Sequence, residues 1–139
     1  MSEESPEPTQ ALVGRIVNST HPPALWEVLS ALDILRLELD AATKRVEQER
    51  RRLPGLKRAL TVTKTEAFMS DPSSTVKERE FRAMAAAADA QCEVDICEEL
   101  IKAGREAVDT IEKQMSSIQS MGAAIREEMR ALGGFGGAA

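Results

Sequence analysis

The chain has no tyrosine, one tryptophan and three phenylalanines among 139 residues. So few rings argue against a β core, which ring and β-branched side chains usually fill. Long apolar runs are missing too: nothing approaches the roughly 20 residues needed to span a bilayer as a helix. The first residues are acidic and proline-bearing, without the basic start and apolar stretch of a secretory leader. A cytoplasmic location is therefore expected. Cysteine is scarce. Cys92 and Cys97 stand five apart, which on a helix puts them on different faces, a poor arrangement for a metal pair or a local disulfide. They read as structural thiols in a reducing compartment. The one histidine, His21, lies between Thr20 and Pro22 with no nucleophile motif around it. P-loop, GxGxxG, HExxH and EF-hand spacings are absent as well. Neither catalysis, nor a metal, a cofactor or a small-molecule substrate is expected.

What is present is helix-forming. Ala, Leu, Glu, Lys, Arg and Gln dominate, and these residues lose little side-chain freedom in a helix. Residues 1–20 read as a disordered acidic tail. A first helix is expected to open near Thr20–Pro23, since proline suits a first helical turn, and to run to about Arg52. Along it Leu25, Val28, Leu32, Leu35, Leu39, Ala42 and Val46 recur at steps of three and four, which places them on one face. Leu53, Pro54 and Gly55 predict a kink or turn, followed by a shorter helix from Leu56 to about Met69. Ser70, Asp71, Pro72, Ser73 and Ser74 predict a loop.

Thr75 with Glu78 matches a capping box, and from there one helix is expected to continue to Leu132. Its apolar positions repeat without error: Ala87, Ala90, Val94, Cys97, Ile101, Gly104, Val108, Ile111, Met115, Ile118, Gly122, Ile125, Met129 and Leu132. Such a repeat predicts a left-handed supercoil against the first helix folded back, another subunit, or both. Ile101, Val108, Ile111, Met115, Ile118, Ile125 and Met129 are the candidate seam of a homo-oligomer. The glycine-rich residues 133–139 should end the helix as a flexible tail. The expected fold is therefore all-α, a helical hairpin with a long C-terminal coiled-coil helix, occupying residues 21–132 and bending at 44–64.

Charge is segregated. The chain totals −5, yet residues 44–64 hold eight Lys and Arg against Glu47 and Glu49, a local charge of +6. A cationic segment of this kind can neutralise phosphates and release their counterions. Arg50, Arg51, Arg52, Lys57, Arg58 and Lys64 are the candidate contacts, and Phe68 nearby offers one ring for stacking on a base. Charges at a turn also serve simply as solvated surface.

In size, helix order and several short stretches the sequence resembles the UvsY recombination mediators of tailed phages. The stretch LeuLysArgAlaLeu at 56–60 falls where that family carries its basic DNA-binding segment. SerMetGlyAlaAlaIleArgGluGluMetArg at 120–130 looks like its closing helix, and the pattern from Lys64 through Phe68, Ser73, Ser74 and Arg79 is shared with related phage proteins. The family's aromatic residues near the basic segment are missing, and the acidic start has no counterpart. The resemblance implies a cyclic oligomer that binds single-stranded DNA through Lys57 and Arg58 with Lys64 or Arg51. It also implies displacement of a single-strand-binding protein and loading of a RecA-like recombinase. A coiled-coil adaptor or phage scaffolding protein that never touches nucleic acid accounts for the heptads equally well.

Overall fold

The computed structural model describes residues 8–18 and 23–136, and these are almost entirely helical: α1 (Pro8–Asn18), α2 (Leu25–Met69), α3 (Val76–Ala86) and α4 (Ala88–Gly136). The all-α class follows. The chain divides into two compact units, one of residues 1–41 with 107–139 and one of residues 42–106.

In the first unit, Val13 and Ile16 of α1, Val28, Ala31, Leu32 and Leu35 of α2, and Ile118 of α4 form one buried cluster. Met115, Met121 and Ile125 pack on its edge. The helical spacing of each set turns it to one side. The expected tail thus contains a helix: proline opens α1 without losing a needed N–H, and burial of Val13 and Ile16 holds it down. The acidic stretch before it, and His21, lie outside the described residues.

The second unit is built on smaller side chains, with Val46, Ala83, Ala87, Val94, Cys97 and Ile101 buried. Here α2 and α4 run antiparallel: Val46 lies against Gly104, and Glu49 further along α2 reaches Cys97 earlier on α4.

Three expected boundaries differ. The helix α2 passes through Leu53, Pro54 and Gly55 without a break. Proline withholds one backbone donor, from the carbonyl of Arg50, and costs about 3 kcal/mol in a helix interior; burial of Val46 and half-burial of Leu53 and Leu56 on either side offset it. The threonine-rich stretch that follows stays helical as Thr61, Thr63 and Thr65 donate back to the carbonyls of Lys57, Ala59 and Thr61.

The helix expected from 75 to 132 is divided at Ala87. The Thr75 capping box is present, with Thr75 Oγ1 accepting from the Glu78 N–H at 3.3 Å and the Glu78 carboxylate accepting from the Thr75 N–H at 3.3 Å. Ala87 then closes α3, its N–H donating to the Ala83 carbonyl at 3.0 Å. An alanine-rich run has no local propensity to break, and Ala83 and Ala87 are both buried where it does. Finally, α4 runs on to Gly136 past the expected stop. Glycine costs only about 1 kcal/mol in a helix, and no described glycine takes the positive φ of a helix stop.

Candidate nucleic-acid interface

One long helix, α2, carries all six candidate contacts, and each of them is exposed. At 3.6 residues per turn, positions seven apart share a face about 10.5 Å along the axis. Arg50, Lys57 and Lys64 therefore form one row, and Lys44, Arg51 and Arg58 a second row beside it. Among the described residues, Arg50, Arg51, Arg58 and Lys64 have no carboxylate within ion-pair distance.

The first row borders α4. Arg50, Leu53, Pro54 and Lys57 line an open cleft of about 600 Å³ together with Glu98, Ile101, Lys102, Arg105 and Glu106. Its floor is apolar and its rims are charged. Lys57 Nζ stands 3.6 Å from Glu98 Oε1, with both side chains about half exposed.

Arg52 falls on another flank and pairs with Glu49 at 3.7 Å. That carboxylate and the Glu49 carbonyl both accept from the Cys97 thiol at 3.3 Å. Burial, then the hydrogen bond to Glu49, raises the Cys97 pKa. Lys64 opens on a different hollow, about 450 Å³, lined by Thr65, Phe68, Met69, Glu80, Ala83 and Met84. Phe68 is half-buried there, and the Arg79 guanidinium lies 5.7 Å from its ring centre. That cation–π contact occupies the ring expected to stack on a base.

The structure therefore brings Arg50 and Lys57 together at one cleft, sets Arg51 and Arg58 on the adjoining face, leaves Lys64 further along the first row at a different hollow, and turns Arg52 to another flank. Lys102 and Arg105 had no place in the basic stretch. Their signal in the sequence is heptad register, since each follows a seam residue, Ile101 or Gly104, and so flanks whatever that seam meets.

The candidate oligomer seam is largely covered within the chain. Ile101 and Ile118 are buried and Val108, Ile111, Met115 and Ile125 half-buried; of the seven only Met129 is exposed, at 57%. The stripe thus serves first as the chain's own core. Among the described residues, no group of three or more His, Cys, Asp or Glu is placed to hold a metal ion, and no helix is long and apolar enough to cross a membrane.

No family model, curated protein or solved structure matches the chain.

Proposed function

We propose that the chain binds single-stranded DNA through the basic face of α2 and acts as a recombination mediator, assembling on the strand and helping a RecA-like recombinase to replace a single-strand-binding protein. One observation carries the DNA-binding half: in a chain of net charge −5, Arg50, Arg51, Arg58 and Lys64 remain exposed without a carboxylate partner among the described residues. Unpaired cations at a helical repeat suit a polyanion whose charges also repeat, and each phosphate neutralised releases a counterion. The mediator half rests on the resemblance. Self-assembly is supported by Trp26, Leu37, Met129 and Leu132, large apolar groups left exposed in the single chain.

The test is fluorescence anisotropy of a labelled oligonucleotide at several salt concentrations, with mass from light scattering on the same sample. Lys57→Ala with Arg58→Ala should weaken binding and leave helicity and mass unchanged. Loss of the oligomer on that substitution would sink the assignment.

The second reading is a coiled-coil adaptor without nucleic acid. It is favoured by the same exposed apolar groups and by the ion pairs that occupy Arg52 and Lys57. On that reading wild type ignores the oligonucleotide at low salt, and reversing the charge of Arg50, Arg51 and Arg52 changes only protein contacts.

A further inference from the structure

The cleft beside Arg50 and Lys57 has a second cationic rim that the basic stretch does not contain. Lys102 and Arg105, three apart on α4, face it across Leu53 and Ile101. Neither cation makes an ion pair among the described residues, whereas Lys57 is held by Glu98 at 3.6 Å. Four cations thus line a cleft that holds two carboxylates, Glu98 and Glu106.

We propose that this cleft is a strand-binding groove. The phosphates of one DNA strand lie between Arg50 and Lys57 on α2 and Lys102 and Arg105 on α4, and Glu98 is a built-in competitor that a phosphate must displace from Lys57. The inference rests on the nucleic-acid reading above and deepens it by adding residues from a second helix and a brake on affinity.

Three physical features support this occupant. Packed helices stand about 8–10 Å apart, and rims set on two such helices suit a single extended backbone rather than a duplex. The floor is apolar, so it can take sugar and base faces without leaving their hydrogen-bonding groups to compete for buried partners. The Lys57–Glu98 pair is half exposed, hence weak and screened by salt. A phosphate, with several acceptor oxygens and its own counterions to release, can replace the carboxylate, while Glu98 keeps the resting groove from holding anions indiscriminately.

The experiment uses the full chain and a fluorescent oligothymidylate, with affinity measured by anisotropy over a salt series and helicity by circular dichroism. Lys102→Gln with Arg105→Gln keeps much of the side-chain stems and should lower affinity at least tenfold. It should also make the log–log salt slope shallower by about 0.7 for each phosphate that is no longer neutralised. Glu98→Gln, which removes charge but hardly changes shape, should raise affinity at low salt about two- to fivefold.

If wild type binds and both variants match it, the groove is overturned while the α2 reading stands. If wild type does not bind the oligonucleotide, the nucleic-acid reading falls and the groove with it. Poly-glutamate bound more tightly than the oligonucleotide, with the same sensitivity to Lys102→Gln and Arg105→Gln, would reassign the groove to an acidic protein partner and overturn the proposal.

Discussion

Val46 and Gly104 meet so closely that a Cβ added at Gly104 would stand 2.5 Å from Val46 Cγ2. No real Cβ approaches a neighbour that closely, so the helices of the second unit pack as they do only because position 104 has no side chain. Gly104→Ala brings two opposing effects. Alanine gains about 1 kcal/mol in helix propensity, and the forced overlap costs about 1–3 kcal/mol. The clash should win, because Val46 is buried and β-branched, with little freedom to turn its methyl away. A net loss of up to roughly 2 kcal/mol in urea unfolding is expected. Adding Val46→Ala should recover part of it, and additive single-mutant effects would show that the two sites are not coupled.

Gly55 provides the opposite case on α2. It lies inside the helix, and a Cβ there would meet nothing within 4 Å. Gly55→Ala should therefore stabilise by roughly 0.5–1 kcal/mol. Pro54→Ala restores a donor for the Arg50 carbonyl and should stabilise by about 1–3 kcal/mol. Thermal unfolding of the two variants checks both; a fall in midpoint for Pro54→Ala would show that the proline is needed where it stands.

These two sites also show what a sequence can disclose. The heptad positions were legible because burial follows periodicity: Val28, Leu32, Leu35, Val46, Val94, Cys97, Ile101 and Ile118 are all buried. The Thr75 capping box was legible because its hydrogen bonds are local. The passage of α2 through Pro54, the break at Ala87 and the docking of α1 through Ile16 were not, since each is decided by packing partners distant in sequence, and local propensity points the other way. The candidate interface divides similarly. Arg50 and Lys57 stand out by charge alone, whereas Lys102 and Arg105 join them only once Val46 is known to pair with Gly104.

The two cysteines should differ sharply in reactivity. Cys92 is exposed, while Cys97 is fully buried with its thiol donating to Glu49. Iodoacetamide at pH 8 should modify Cys92 quickly and Cys97 only after unfolding in urea, as mass spectrometry of the digested protein would show. Burial is the larger cause of the raised Cys97 pKa, so Glu49→Gln should leave that protection in place. The shift also sets a pH dependence. In the unfolded chain this thiol ionises near pH ~8.5, while the folded one holds its proton to higher pH. Its contribution to stability is complete below that point and is lost as pH rises. Cys97→Ala should remove this part of the alkaline decline, and an unchanged decline would refute the linkage.

Asp71 works at the other end of the pH scale. It organises the turn between α2 and α3: the Ser73 hydroxyl donates to Asp71 Oδ1 at 2.6 Å and the Ser73 N–H at 3.1 Å, while the Arg82 guanidinium lies 3.9 Å from the other carboxylate oxygen. The Ser73 hydroxyl contributes most to lowering the Asp71 pKa, followed by the hydroxyl of Ser74 and the Ser73 N–H. A carboxyl with a lowered folded pKa stabilises the fold above its unfolded value, about 3.9, and loses that contribution as pH falls through the folded value. Asp71→Asn can still accept a hydrogen bond but cannot ionise. Its unfolding midpoint should lie below that of wild type at pH 7, and the two should converge as the pH is lowered below 4. Arg82 also donates to Ser74 at 2.7 Å and to Ser70 at 3.1 Å, so the turn should keep its shape in the variant, and the gap should be present at neutral pH and close only in acid. A gap between the two proteins that stays constant from pH 7 to pH 2.5 would show that Asp71 acts through shape and not through charge.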